Sequence, residues 1–143
     1  TSIVVRVIAL GSMPGPAAMF ASVVVAHTMG RVAAVGLGGT MRLATHSGLG
    51  ADYGRSTSKP RAVFGTLTGV AIATLLVSWW AAVLLVVVIV SSAAVGLLAR
   101  RKIGGISGDV LGAAEQVSEC MCYVAMTALA THPSLLHCLL WWA

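Results

Sequence analysis

Charge is what this chain has least of. Lysine and arginine together number 9 and aspartate and glutamate 4, so 9% of its 143 residues are charged while 58% are hydrophobic. Soluble domains usually carry about 25% charged residues, so these charges could hardly cover a soluble surface. Cysteine is scarce too. Cys120, Cys122 and Cys138 include no CxxC pair and no metal-ligand spacing, which leaves no disulfide framework or zinc set to argue from. They read as buried, inert thiols. HExxH, GxSxG, Walker and Rossmann patterns are all missing, so zinc proteases, α/β-hydrolases and P-loop enzymes have no support. The chain has no initial Met and no signal-peptide layout. It opens at Thr1 inside an apolar run, and we read it as N-terminally truncated.

What is there is Ala, Val, Leu and 16 glycines. Small residues let helices approach closely where lipid supplies no hydrophobic drive for association. The expected fold class is therefore all-α, a polytopic transmembrane helical bundle forming a single membrane domain over residues 1–143. About five membrane helices are expected in it. The net charge of +5 comes from basic residues in short loops between apolar runs. Nucleic-acid binding needs basic clusters interleaved with aromatics, so this placement reads as a topology signal and as candidate phosphate contacts, with no nucleic acid expected.

Thr1 to Leu10 is apolar except for Arg6 and too short to span. Arg6 either snorkels to the surface or pairs with an acid on chain preceding Thr1. A GSMPGP turn leads into a helix from Ala17 to about Leu37, interrupted by His27 and Arg31. Gly38 to Arg61 reads as a polar loop. Ala62 to Ala99 runs 38 residues without a charge. One helix of that length would measure about 57 Å, against a bilayer core of about 30 Å, so it must be two helices. Ser78, Trp79 and Trp80 mark the break, since paired tryptophans suit a membrane interface. A hairpin also puts the basic groups around Lys59–Arg61 and Arg100–Lys102 on one side. The positive-inside rule makes that side, with loops 38–61 and 99–108, cytoplasmic. The last helix is expected from Asp109 to Thr131, and the tail from Ser134 is too short to span.

The chain has four carboxylates, and three of them, Asp109, Glu115 and Glu119, fall in GDVLGAAEQVSE. At about 100° per residue, these acids share one sector of about 120° with Gly112, Gln116 and Tyr123. Carboxylates deep in a membrane helix are costly unless they face a polar cavity or partners, so the stripe reads as a functional site. The plainer alternative is a helix lying flat at the interface with its polar face in water. Gly104, Gly105, Ser107 and Gly108 precede this helix. Exposed N–H groups in such a turn, at a helix start, suit a phosphate. Asp109 could equally be only the N-cap, and Arg100, Arg101 and Lys102 only topology signals. In the 38–61 loop, Gly48 and Gly50 follow His46, which reads as a solvated loop histidine. His27 reads as a satisfied hydrogen-bonder, within its helix or between helices.

Arg101 to Ala114, RKIGGISGDVLGAA, resembles the signature of the cobalamin synthase family, a basic residue followed by GG-x-[TS]-GD-x-LGA. Gly30–Arg31 and Ser47–Gly48–Leu49–Gly50–Ala51 resemble two further landmarks in the family's order. Two departures stand out. Thr45–His46–Ser47 occupies the place of an Arg-Pro type sequence, and the family's aspartate-rich N-terminal motif does not occur in this chain. The resemblance implies a magnesium-dependent transferase of the bacterial or archaeal inner membrane. It would join adenosylcobinamide-GDP to α-ribazole or its 5′-phosphate and release GMP. On that reading Asp109, with help from Glu119 or Glu115, binds Mg²⁺ or orients the attacking hydroxyl, which makes Asp109, Glu115 and Glu119 the catalytic candidates. Arg31, Gly48, Gly50, Arg101, Lys102, Gly104, Gly105, Ser107, Gly108, Gly112 and Gln116 would bind substrate. Association with its own kind or with other enzymes of the pathway is a further expectation. Two readings compete: a CDP-alcohol type membrane phosphotransferase, and a small transporter or channel subunit.

Overall fold

The computed structural model describes residues 2–42, 44 and 58–130. They form α1 (Ser2–Gly11), α2 (Pro16–Thr40), α3 (Lys59–Val77), α4 (Trp80–Ile103) and α5 (Gly108–Ala130). The charge-free run divides where its length demanded. Ser78 leaves the helix with φ 53, and Trp79 and Trp80 stack with ring centroids 4.0 Å apart. Trp79 is exposed, whereas Trp80 packs into the core. Pro60 falls in the first turn of α3, where a missing N–H costs nothing.

Expectations shift at several helix ends and in the helix count. α3 already begins at Lys59 and α4 runs on to Ile103, so Lys59–Arg61 and Arg100–Ile103 are helical where loops 38–61 and 99–108 are expected. α2 does not stop at Leu37 but continues through Gly38 and Gly39 to Thr40. These glycines serve packing rather than termination. Gly38 is buried, and a Cβ on Gly39 would lie 2.5 Å from the Cβ of Ala62. The estimate of about five membrane helices is somewhat high. Three helices, α2, α3 and α4, are long and apolar enough to cross a membrane. α1 has 10 residues, about 15 Å at 1.5 Å per residue. α5 is long enough, but it carries three acids and a glutamine.

The main core runs between α2, α4 and α5 and takes in α1 and the end of α3. Ala21, Val25, Ala26, Met29, Ala73, Val77, Leu84, Val88, Cys122, Tyr123 and Met126 are its most buried members. Small residues on α2 let its neighbours come close. A Cβ on Gly69 of α3 would sit 2.4 Å from Val32 Cγ2. Ser91 of α4 and Ser118 of α5 share a buried hydrogen bond of 2.9 Å, the kind of polar contact that ties helices together in lipid. The large side chains Phe64, Leu67, Leu75, Val86, Ile89, Val90, Leu97 and Leu98 point outward. Such faces suit lipid, and three apolar helices of this kind make the chain a membrane protein.

The helices alternate in direction. A smaller apolar cluster of Leu37, Ile106, Leu111 and Ala114 closes one end. There the C-terminal ends of α2 and α4 meet the N-terminal ends of α3 and α5.

Candidate functional site

At that end, the chain between α4 and α5 is shaped by its own sequence. Gly104 caps α4 in the left-handed conformation, φ 78 and ψ 0, and its N–H bonds the Arg100 carbonyl. Glycine takes that conformation without the penalty a Cβ imposes. Ile106 then pairs with the strand-like exit of α2. Its N–H donates to the Arg42 carbonyl at 2.9 Å, and its carbonyl accepts from the Ala44 N–H at 2.8 Å. The Ile106 side chain is fully buried, which anchors the loop from below. Ser107, not Asp109, is the N-cap of α5: its Oγ accepts from the Val110 N–H at 3.4 Å. Asp109 lies in the first turn, exposed, where an acid also complements the helix dipole.

Thr40, Met41, Arg42, Arg100, Gly104 and Gly105 line a cavity of about 410 Å³ over this loop. Lys59 borders a neighbouring hollow beside Thr40. Arg101 and Lys102 are exposed in the last turn of α4. The end is therefore strongly cationic, with Asp109 its one described carboxylate. Such a surface can hold an anion bearing several phosphate oxygens.

The acidic stripe of α5 does not stay together as one site. From Asp109 to Glu119 it runs about 15 Å along the axis, away from the cationic end and into the bundle. Glu115 makes a two-pronged ion pair with Arg31 of α2, Nε to Oε1 and Nη1 to Oε2, both 3.2 Å. Glu119 is buried, its side chain 3% exposed, and pairs with Arg6 of α1. His27 Nδ1 lies 2.9 Å from its other oxygen. An ionised carboxylate can only accept, so this histidine nitrogen donates. Arg6 also donates to Gln116 Oε1 at 2.8 Å. Gly112 is exposed, with nothing near the place of a Cβ. Tyr123 is buried in the core instead of joining a polar surface.

Of the two hydrogen-bonding options for His27, the structure shows the one between helices. Arg6 resolves differently from both options considered for it: its partner is Glu119, within this chain. The clue was available, since two lone charges of opposite sign in apolar helices both require partners. Gly30 was read as a motif residue. Its geometric role is to leave room for Glu119, whose Cγ would lie 2.5 Å from a Cβ there. Gly48 and Gly50, His46, Cys138 and the tail from Ser134 lie outside the described residues. Cys122 is buried and Cys120 partly so, both as free thiols.

Against known proteins, the cobalamin-5-phosphate synthase family matches residues 1–127. The chain belongs to that family. The match spans all five helices but the last turn of α5, and places the protein in cobalamin synthesis rather than with either competing reading. No curated protein and no solved structure matches the chain. Within this member of the cobalamin-5-phosphate synthase family, the RKIGGISGDVLGA segment is thus the last turn of α4, the pinned glycine loop and the first turn of α5.

Among the described residues, no group of three or more His, Cys, Asp and Glu side chains comes together around a metal position. Mg²⁺ does not demand one. It keeps several waters and commonly takes one or two carboxylates together with substrate phosphates. An exposed Asp109 at the cationic end fits that pattern as a single ligand.

Proposed function

We propose that the protein is an adenosylcobinamide-GDP ribazoletransferase, joining adenosylcobinamide-GDP to α-ribazole or its 5′-phosphate with release of GMP. The observation that carries this reading is the cationic cavity over the pinned glycine loop, in a chain of the cobalamin-5-phosphate synthase family. In the transfer, a ribose hydroxyl oxygen of the ribazole forms a bond to the phosphorus bearing the corrinoid. The bond from that phosphorus to the bridging oxygen breaks, GMP leaves with the electron pair, and the hydroxyl proton passes to a base or to water.

Each part of the cationic end has a task in this reaction. Arg42 and Arg100 on the cavity wall, with Lys59, Arg101 and Lys102 around it, neutralise the diphosphate. The glycine loop lets phosphate oxygens approach the backbone closely, and its hydrogen bonds to the α2 exit hold that surface in shape before substrate arrives. Preorganised positive charge of this kind is worth most where charge develops in the transition state. Asp109 is the acid nearest this work, positioned to orient the attacking hydroxyl or to ligate Mg²⁺ arriving with the diphosphate. When bound, the metal would neutralise charge on the transferring group. Glu115 and Glu119 are engaged by arginines at a distance from this end, which leaves Asp109 as the principal candidate.

The test is GMP release by the full-length protein in membranes, with adenosylcobinamide-GDP and α-ribazole supplied. Asp109→Asn is expected to abolish release while membrane insertion and folding are unchanged. Undiminished turnover would remove Asp109 from the mechanism. Failure of the native protein to release GMP from this donor would overturn the substrate assignment.

A further inference from the structure

Glu119 sits where three helices meet, and its surroundings are those of a tie rather than a reagent. Each of its carboxylate oxygens already takes a partner, one from α1 (Arg6) and one from α2 (His27). Its side chain crosses the backbone of α2 so closely that only glycine fits at position 30. A second donor contact runs from Arg6 to Gln116, one turn away on α5.

α1 has few other specific contacts. Ala9 is its one buried residue, and Ile3, Val4, Val7 and Ile8 are exposed. In lipid, such an apolar face gives no preference for the bundle over the bilayer. The charge pair is what distinguishes the docked position of α1. α2 and α5 are antiparallel. Thr40–Arg42 at the end of α2 form one wall of the cationic cavity, and Arg100, Gly104 and Gly105 form the other. That glycine loop is bonded to the α2 exit through Ile106 and leads directly into α5. A sliding of α2 along α5 would break the two backbone bonds at Ile106.

From this we infer that Glu119, with Arg6, His27 and Gly30, is a positioning node. It fixes the register of α1 and α2 on α5 and thereby the spacing of the cavity walls, without touching substrate. The activity arm of the test rests on the transferase reading above. The stability arm does not.

The physical basis for a test is that a lone buried charge costs far more than a neutral pair of similar shape. In the full-length protein, Glu119→Gln and Arg6→Gln are each expected to lower the rate of GMP release at saturating substrate by about tenfold, within the coupling range of directly paired groups. The double variant, neutral at both positions, is expected to return to within about threefold of the native rate. A residue that touched the reacting atoms could not be rescued this way. If the double variant is as slow as Glu119→Gln alone, the node is not a positioning device. Should the native protein release no GMP, the thermal midpoint in lipid nanodiscs decides instead. A double variant more stable than either single variant supports the node, and additive losses overturn it. Gly30→Ala provides a third check, since it displaces Glu119 without changing any charge. It is expected to slow turnover and lower the midpoint as Glu119→Gln does, and a native-like Gly30→Ala protein would contradict the inference.

Discussion

Replacing Gly104 with alanine isolates the backbone cost of the glycine loop from any steric one. A Cβ at this position would meet nothing within 4 Å, so the whole penalty comes from placing an L-residue at φ 78. That penalty is about 1–2 kcal/mol. The loop could escape it by leaving the left-handed conformation, but it would then strain or lose the two backbone bonds at Ile106 and the bond from Gly104 to Arg100. Three hydrogen bonds at about 1 kcal/mol each exceed the penalty, so in Gly104→Ala the loop should hold its shape and the protein should carry the strain. Unfolding in nanodiscs, followed by tryptophan fluorescence, should show a loss of about 1–2 kcal/mol. Asparagine tolerates the left-handed region better than other residues, so Gly104→Asn should lose less than Gly104→Ala. Valine is a genuine outlier there. Gly104→Val should therefore tip the balance, release the loop and raise the KM for the diphosphate donor. If Gly104→Ala is as stable as the native protein, or Gly104→Asn is worse than Gly104→Val, the account of this loop is wrong.

Two further predictions concern packing between helices. Gly69→Ala would put a Cβ 2.4 Å from Val32 Cγ2, and a β-branched side chain on a helix has little rotamer freedom with which to yield. Overpacking of this kind costs about 1–3 kcal/mol. Gly65→Ala on the same helix meets Val35 Cγ1 at 3.4 Å, an ordinary contact, and should be neutral. Equal thermal midpoints for the two variants would refute the packing argument. Ser118→Ala removes the shared hydroxyl bond to Ser91 and should cost about 0.6 kcal/mol, the average for interhelical hydrogen bonds in membranes. An unchanged midpoint in the Ser91→Ala, Ser118→Ala and double-alanine series would show that the bond contributes nothing.

The hairpin of α3 and α4 was legible because a charge-free run longer than a bilayer is thick has to turn. The gathering of basic residues at one end followed from the same hairpin. The acidic stripe of α5 was legible too, because 100° per residue places side chains on a helix face without knowledge of anything else. That projection gives a face and not what packs on it, and here the difference decides the chemistry. Asp109 and Glu119 share a sector of α5, yet one is exposed at the cationic end and the other is buried between two helices. The sequence suggests Asp109 as the cap of α5, yet Ser107 takes that place; both are good capping residues, and only backbone direction selects one.

By itself, then, the order of residues determined the helical class, the places where the chain must turn and the sidedness of its charge. These depend on local length, hydropathy and periodicity, which act within a few turns of a helix. Tertiary structure alone decided that Arg6 meets Glu119 across |i−j| = 113, that Gly30 makes room for the carboxylate, and that the α2 exit clasps the glycine loop. Those are distances between segments far apart in the chain, fixed by how the helix surfaces fit and by the need of each buried charge for a partner.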